Sequence, residues 1–259
     1  MRLDGRVAII TGGGHGLGRD LALAFADAGA DLSLCGTNAA ALETTAAELR
    51  GRGRRVVSRV ADVSAEDQVE LWVAGALAEL GRIDVLVNNS GITGPTGSVD
   101  QVSRAEWDRT LALNLTGAFL CARAVLPHMA ARGSGKIINI ASVAGHIGYA
   151  MRAPYAVSKW GMLGLTRTLA VEWAKHNIQV NAISPGSVSG ERIERVIRER
   201  AAKSGVPEAE VRREYTSKAV LGRFVPAEHV AGMAVFLASE LGDSITGEFL
   251  QVAGGFNLG

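Results

Sequence analysis

Residues 7–28 read VAIITGGGHGLGRDLALAFADA, a short apolar run, a glycine-rich turn and an amphipathic segment in direct succession. The β-branched run predicts a buried strand, and the apolar spacing of residues 17–28 predicts a helix. Glycines in such a turn permit backbone conformations with φ > 0 and let N–H groups at a helix N-terminus approach a pyrophosphate. A turn that only packs strand against helix is the alternative at this point.

The spacing of these glycines separates two kinds of nucleotide-binding turn. The pattern G-x-G-x-x-G fails, because Leu17 or Arg19 stands where the last glycine is required. The pattern T-G-x-x-x-G-x-G fits, with Gly12, Gly16 and Gly18 in the glycine positions. The turn also lacks the lysine of a P-loop.

Short β-branched runs alternate with segments of helical length along the whole chain. The runs lie at 7–10, 32–35, 56–60, 83–87, 136–140, 178–183 and 249–252, and the helical segments at 17–28, 39–50, 66–80, 105–131, 155–175 and 227–238. Several runs are apolar on both faces, which is typical of parallel sheets. We therefore expect a single α/β domain over 1–259, a doubly wound parallel sheet of about seven strands with helices on both faces. An Arg- and Glu-rich segment at about 190–217 predicts a helical insertion over one edge.

Composition excludes several classes of function. The 259 residues hold 27 basic and 26 acidic side chains, a formal net charge of +1 that argues against nucleic-acid binding. Apolar runs stay well short of the roughly 20 residues of a membrane span, and the first run is too short for a signal peptide. We expect a cytoplasmic protein with no membrane partner, in which Cys35 and Cys121 are buried thiols. Five scattered histidines predict no metal site.

The end of the second predicted strand bears on the choice of cofactor. In dinucleotide folds an acidic residue there binds the ribose 2′-hydroxyl of NAD, whereas a basic residue accommodates the phosphate of NADP. Here the strand ends in Cys35-Gly36-Thr37-Asn38, without an acid. NADP is favoured over NAD, because His15, Thr37 and Asn38 carry donors for a phosphate. NAD stays open, since neutral donors also serve a hydroxyl, and Thr37 and Asn38 equally suit a helix N-cap.

Tyr155 and Lys159 stand four residues apart at the start of a predicted helix and therefore share one face. A free tyrosine has a pKa of about 10, and a nearby cation lowers that pKa by stabilising the phenolate. The pair is thus a candidate general acid/base. Ser142 ends the fifth predicted strand, where a doubly wound fold binds ligands, and its hydroxyl is suited to bind a substrate oxygen.

With these motifs the chain resembles the classical short-chain dehydrogenase/reductase family, from about Leu3 to Gly255. The matching positions are the cofactor turn (Gly12, Gly14, His15, Gly16, Leu17, Gly18), the adenine-contact pair (Asp62, Val63), the motif Asn88-Asn89-Ser90-Gly91, the helix residue Asn114, the active-site residues (Ser142, Tyr155, Lys159) and the nicotinamide turn (Pro185, Gly186). Within that turn, Ser189 or the backbone at Val188 takes the place of a frequent threonine. Ser90 replaces the usual alanine, and Ala253 stands where an aspartate is frequent.

The resemblance implies a Rossmann-type fold and an NAD(P)-dependent oxidoreductase that interconverts a secondary alcohol and a ketone or aldehyde by hydride transfer. It implies that Tyr155 exchanges the proton with the substrate oxygen and that Ser142 positions this oxygen. Lys159 would bind the nicotinamide ribose and lower the tyrosine pKa, and Asn114 would hold a water that links Lys159 to solvent. Asn89 would support the cofactor turn. The alternatives are a non-catalytic NAD(P)-binding protein, or a lyase or epimerase on the same scaffold.

Substrate contacts are expected from the loops at the strand ends, 92–97 and 143–152, and from the insertion. The candidate substrate residues are Val143, His146, Arg152, Ser187 and Arg192. Because arginine binds carboxylates with two hydrogen bonds, we hypothesise that Arg152, with Arg192 or Arg195, binds an anionic group of the substrate. An exposed helix with i,i+4 charge pairs is the alternative for the insertion.

The resemblance also implies a homotetramer. We expect the helices at 105–131 and 155–175 to present small and apolar residues to a second subunit. The residues proposed for this stripe are Ala118, Ala122, Gly161, Leu165 and Ala170. Packing of the same stripe on the chain's own sheet is the alternative.

Overall fold

A computed structural model describes residues 1–256 of the chain, and its centre is one parallel β-sheet of seven strands. The strands are β1 (Val7–Thr11), β2 (Asp31–Gly36), β3 (Val56–Val60), β4 (Val85–Asn88), β5 (Gly135–Ile140), β6 (Ile178–Pro185) and β7 (Phe249–Val252). They are arranged in the order β3-β2-β1-β4-β5-β6-β7. All seven predicted strands are present, and the doubly wound fold is confirmed.

Nine α-helices flank the sheet within the described part of the chain. They are α1 (Gly16–Asp27), α2 (Ala39–Gly51), α3 (Glu66–Leu80), α4 (Arg104–Leu111), α5 (Gly117–Arg132), α6 (Ala153–Trp173), α7 (Glu191–Ser204), α8 (Glu208–Ser217) and α9 (Ala227–Ala238). Helices α7 and α8 form the predicted insertion and pack on each other through Ile197, Val211 and Tyr215.

The core consists of two apolar layers, one on each face of the sheet. On β1, Ala8 and Ile10 face a layer that includes Phe25 of α1, whereas Ile9 faces the opposite layer with Trp72 of α3. Successive side chains of a strand point to opposite faces, so β1 is buried on both sides. Burial on both faces explains why the strands read as continuous apolar runs.

The predicted helix at 105–131 is interrupted in the structure. Helices α4 and α5 are separated by a π-helical turn, Ala112–Thr116, and Asn114 in this turn is fully buried. Such turns insert an extra residue into a helix and often occur at functional sites. The stretch Arg104–Arg132 has the length and hydropathy of a membrane span, yet half of its most apolar window is buried in the protein, which makes this weak evidence for one.

Three of the five residues proposed for subunit contact lie inside the chain, whereas Gly161 and Leu165 are half-buried. Ala118, Ala122 and Ala170 are at most 5 % exposed and belong to the core layers. The prediction that they face a second subunit is wrong, because helical spacing alone does not tell an inward stripe from an outward one. The exposed apolar side chains of α5 and α6 are Phe119, Val157, Trp160 and Val171.

Strand order reverses beside β1, since β2 and β3 lie on one side and β4 to β7 on the other. In open parallel sheets this reversal leaves a crevice at the carboxyl ends of the strands, where ligands bind. The glycine turn follows β1, Asn89 follows β4 and Ser142 follows β5, so the fold gathers these residues at one edge.

Candidate active site

The glycine turn has the backbone conformation that its sequence predicts. Gly12 and Gly16 have positive φ angles of 67° and 52°, which side chains rarely tolerate. A β-carbon on Gly18 would overlap the carbonyl oxygen of Gly12 and lie 2.6 Å from Nδ2 of Asn89. The first turn of α1 therefore lies directly against the end of β1, and only glycine fits at position 18.

Thr11 and Asn89 fix the turn to the neighbouring strand. The Thr11 hydroxyl accepts hydrogen bonds from the backbone N–H groups of Asn89 and Ser90, both at 2.9 Å. The Asn89 side-chain amide donates to the Thr11 carbonyl oxygen at 2.9 Å. Ser90 thus contributes its backbone N–H to the contact with Thr11, and its hydroxyl lies beside Gly12.

The remaining residues of the turn leave its outer side accessible. His15 is exposed and makes no side-chain cap to α1, Leu17 is half-buried, and Gly14 lies against the backbone of α2. The turn therefore offers the N–H groups of a helix N-terminus at the edge of the sheet, without a side chain over them. This cradle fits the pyrophosphate of a dinucleotide.

Side chains at the ends of β2 and β3 border the same turn. Thr37 is exposed, whereas the Asn38 side chain caps α2 by accepting from the Ala41 N–H at 3.0 Å. Asp62 accepts hydrogen bonds from both N–H and hydroxyl of Ser64, and Val63 is buried against α5. The cap occupies only the amide oxygen of Asn38, so its amide nitrogen keeps its donors for a 2′-phosphate.

Tyr155, Lys159 and Ser142 meet at the carboxyl end of β5. Tyr155 is half-buried in the first turn of α6, and Nζ of Lys159 lies 5.9 Å from the centre of its ring. Lys159 is 4 % exposed and donates to the Ile140 carbonyl oxygen at 2.7 Å. The Ser142 hydroxyl accepts from the Ala144 N–H at 3.2 Å, which leaves its own proton free to donate.

Burial determines the electrostatics of this cluster. It lowers the pKa of Lys159 from 10.5 to about 7, and the positive charge of Arg192 adds to the effect. A lysine with such a pKa exchanges its proton near neutral pH. A phenolate or another anion beside it would favour the charged form.

Asn114 connects the π-helical turn to α6. Its amide nitrogen donates to the Ile92 carbonyl oxygen at 2.9 Å and to the Ser158 hydroxyl at 3.0 Å, and its oxygen accepts from the Ile92 N–H at 2.8 Å. Ser158 in turn donates to the Tyr155 carbonyl oxygen at 2.7 Å. Ser158 was not predicted from the sequence, although its place between Tyr155 and Lys159 was a usable signal.

The nicotinamide turn predicted at 185–190 is held in place by Val225. The carbonyl of Ser187 accepts from the Val225 N–H at 2.8 Å, and the Ser189 N–H donates to the Val225 carbonyl at 2.9 Å. The Ser189 hydroxyl bonds to that same carbonyl. Pro185 is buried at the end of β6, and a β-carbon on Gly186 would lie 3.1 Å from the Cα of Ala253.

The predicted substrate residues have different surroundings. Val143 is buried next to Ser142. His146 is hydrogen-bonded to the Ser184 hydroxyl at 2.8 Å, and its partial burial lowers the pKa of the imidazole. Arg152 is 6 % exposed and donates to the carbonyl oxygens of Thr93 and Gly94. Arg192 is exposed on the first turn of α7 and reaches the electrostatic environment of Lys159. Arg195 lies 3.8 Å from Glu199, the i,i+4 pair of an exposed helix.

A cavity of about 590 Å³ lies between the segment 147–152 and the insertion, and we call it the lid cavity. Arg152 belongs to its lining, together with residues of α7 and α8. Within residues 1–256, no group of three or more His, Cys, Asp or Glu side chains is arranged to hold a metal ion.

Comparison with known proteins agrees with this geometry. Residues 6–201 match the family model described as short chain dehydrogenase. A cis-4-hydroxycyclohexanecarboxylate dehydrogenase of Sinomonas cyclohexanicum is 36% identical over 97% of this chain and 96% of its own length. An NAD+-bound xylitol dehydrogenase superimposes with a TM-score of 0.95 at 32% identity, covering 98% of this chain and 100% of that one. An actinorhodin polyketide ketoreductase with NADPH superimposes with a TM-score of 0.94 at 33% identity, covering 100% of both chains.

The fold and the cluster at its carboxyl edge define a nicotinamide-dependent oxidoreductase. The chain belongs to the short-chain dehydrogenase family, and its reaction interconverts an alcohol and a carbonyl compound.

Proposed function

We propose that the protein interconverts a secondary alcohol and a ketone with Tyr155 as general acid/base and NADP as the preferred cofactor. The observation that carries this proposal is that Lys159 contacts both the Tyr155 ring and the end of β5, two residues before Ser142. A bound nicotinamide would supply or accept the hydride. The protein's own residues then handle the proton and the orientation of the substrate.

Each residue of the cluster has a distinct role in this proposal. The Tyr155 phenol gives its proton to the carbonyl oxygen during reduction and takes it back during oxidation. The Ser142 hydroxyl donates to the same oxygen and fixes its position. Lys159 stabilises the phenolate and lies at the place where the nicotinamide ribose would bind. Asn114 positions α6 through Ser158 and supports proton exchange between Lys159 and solvent.

Two other functions share this scaffold, namely a non-catalytic NAD(P)-binding protein and a lyase or epimerase. Binding alone has no need of a phenol beside a buried amine, and the relatives named above are dehydrogenases or reductases. These observations favour the oxidoreductase. Net change in the absorbance of reduced nicotinamide separates it from both alternatives.

NADP is supported by the end of β2. Gly36 and Thr37 carry no charge, so a 2′-phosphate meets no carboxylate there. His15, Thr37 and Asn38 are all exposed beside the glycine turn and carry donors for the phosphate. The relatives include one structure with NAD+ and one with NADPH, so the relatives alone leave the preference open.

An anionic substrate is supported by the basic side chains around the lid cavity. The relative from Sinomonas cyclohexanicum is named for a hydroxy acid that carries a carboxylate. Arg152 immediately precedes α6, and Arg192 is close enough to Lys159 to affect its pKa. Because Arg152 already donates to two backbone carbonyls, its charge contributes to the field more than to direct contact.

We further propose a homotetramer in the cytoplasm, with each chain forming a single domain over 1–259. Exposed apolar side chains on α5 and α6, Phe119 and Trp160 among them, support the subunit contact. Cys35 and Cys121 are buried and free, which suits a reducing compartment.

The test of this proposal is titration of the protein with NADPH and with NADH, followed by fluorescence. Steady-state absorbance is then measured with a panel of cyclic ketones. We expect binding of both cofactors with tighter binding of NADPH, and consumption of NADPH with at least one ketone. Binding without net consumption would favour the alternatives, and absence of binding would contradict the proposal.

A further inference from the structure

The lid cavity has no part in the proton chemistry described above, yet it borders the catalytic residues. One wall is the segment 147–152, which begins five residues after Ser142 and ends three residues before Tyr155. The opposite wall is formed by α7 and α8. A volume of about 590 Å³ is in the range of small-molecule sites, roughly 300–1,000 Å³.

Positive charge dominates the lining of this cavity. The described lining residues include four basic side chains, Arg152, Arg200, Lys203 and Lys218, and one carboxylate, Glu214. If every basic side chain of the lining were paired with its own carboxylate, no positive charge would be in excess. The cavity instead keeps more cations than it can neutralise.

The single carboxylate is shared by two of these cations. Arg200 donates to both oxygens of Glu214, at 2.6 and 2.8 Å, and Lys218 Nζ lies 3.6 Å from the same group. Lys203 donates to the Thr96 carbonyl oxygen at 3.0 Å, a partner without charge. Lys203 has no ion pair within 4 Å among the described residues, Glu106 lies within range of its charge, and Lys218 shares Glu214 with Arg200.

Two tyrosines connect these cations with the catalytic phenol. Nζ of Lys218 lies 5.9 Å from the ring centre of Tyr149 and 5.6 Å from that of Tyr215. Burial raises the pKa of the Tyr149 phenol, and the phenols of Tyr215 and Tyr155 raise it further. Tyr149 thus lies near both Lys218 and Tyr155, and a hydrogen bond with Tyr215 also favours its protonated form.

We propose that the lid cavity binds an anionic group, a carboxylate or a phosphate, which the substrate carries several atoms away from its reacting carbon. Lys203 and Lys218 are its cationic contacts, and Tyr149 donates a hydrogen bond to it. The inference rests on the proposed function, and it places the direct anion contact on the lid lysines instead of on Arg152 and Arg192. An anion there would also join α7 and α8 to the segment 147–152.

The experiment measures binding of unreactive probes by calorimetry, to the free and to the NADPH-loaded protein. The probes are cyclohexanecarboxylate, cyclohexyl phosphate and the neutral cyclohexylmethanol. Variants K203Q and K218Q are compared with two controls. K203R keeps the positive charge, and K175Q changes an exposed lysine that lies just beyond the C-terminal end of α6. We expect at least one anion to bind, with affinity about tenfold lower in K203Q or K218Q and unchanged in K203R and K175Q.

The outcomes separate this inference from the proposed function. Stronger binding of the phosphate or of the carboxylate identifies which anion the site takes. Equal affinity for cyclohexylmethanol, no binding of either anion, or unchanged affinities in K203Q and K218Q would overturn the anion site. Turnover of neutral ketones together with any of these results would leave the oxidoreductase intact. Anion binding without turnover of any ketone would support the site and contradict the proposed reaction.

Discussion

Lys159 is an amine that the fold buries almost completely, with a backbone carbonyl as its hydrogen-bond partner. Burial without a nearby anion destabilises the charged form of the Lys159 amine, and this lowers its pKa. In the proposed mechanism the charge of Lys159 stabilises the Tyr155 phenolate. The residue proposed to activate the tyrosine therefore lowers the stability of the folded protein.

The pH dependence of stability follows from this pKa. The unfolded chain holds the Lys159 proton up to about pH 10.5, whereas the folded protein releases it near pH 7. The destabilising effect is therefore full below pH 7 and fades as the pH rises toward 10.5. From pH 7 to pH 9, the free energy of unfolding of the wild type should rise by on the order of 1–2 kcal/mol relative to that of Lys159→Met. Urea denaturation of both proteins at the two pH values measures this change. An unchanged difference between the two proteins would contradict the buried, proton-labile lysine.

Gly36 offers a test of the cofactor preference. A β-carbon at Gly36 would make ordinary contacts, 3.7 Å to Leu42 and 3.8 Å to the Cα of Gly12, so a larger side chain fits. Gly36→Asp places a carboxylate beside the cofactor turn and should weaken NADPH binding about tenfold or more, with NADH less affected. Gly36→Asn is the control of equal size without charge. Equal losses in both variants would show that size, and not charge, is responsible.

At the scale of elements, the site depends on how closely α1 approaches the ends of β1 and β4. Thr11 and Asn89 tie the two strand ends together, and the glycine turn passes between them into α1. The helix N-terminus points at the place of the pyrophosphate because no side chain stands at position 18.

Gly18→Ala should therefore disrupt both folding and cofactor binding. Its β-carbon would overlap the Gly12 carbonyl, and we expect a loss of about 2 kcal/mol or more in the free energy of unfolding. Gly232→Ala in α9 is the matched control, because nothing lies within 4 Å of a β-carbon there. The control should gain about 0.5–1 kcal/mol through helix propensity. Thermal denaturation and NADPH titration measure both, and a Gly18→Ala protein as stable as wild type would contradict the close packing.

The sequence was sufficient to predict the elements, but not the directions of all side chains. Strand runs and glycine spacing depend on local backbone chemistry, so β1 to β7 and the turn were predicted. The π-helical turn at Ala112–Thr116 contains no Gly or Pro that would signal a break in the helix, and it was missed. His146 and Arg152 lie on a loop, where spacing does not determine direction, and only the structure shows their bonds to Ser184 and to backbone carbonyls.

At the scale of the whole molecule, α5 and α6 present an apolar surface that the chain itself leaves uncovered. Phe119, Val157, Trp160 and Val171 are between 43% and 82% exposed on these two helices. A second subunit on this surface would remove them from water. Tyr155 and Lys159 lie on the same α6, so assembly would also restrain the helix that carries them.

Light scattering tests the assembly. We expect the wild type at about four times the chain mass of 27.0 kDa, and a smaller species for Val171→Glu, because a charge in an apolar contact is costly. Val99→Glu, an exposed valine on a different face, should assemble like the wild type. A wild type that scatters as a single chain would contradict the tetramer.

The substitution Tyr155→Phe tests the central claim most directly. It removes one hydroxyl from a half-buried ring and leaves the glycine turn untouched. We predict that NADPH binds as tightly as to the wild type, while the turnover of ketone in the absorbance assay falls about 100- to 10,000-fold. Turnover within a factor of two of the wild type, with cofactor binding intact, would show that the proton comes from elsewhere and would contradict the account.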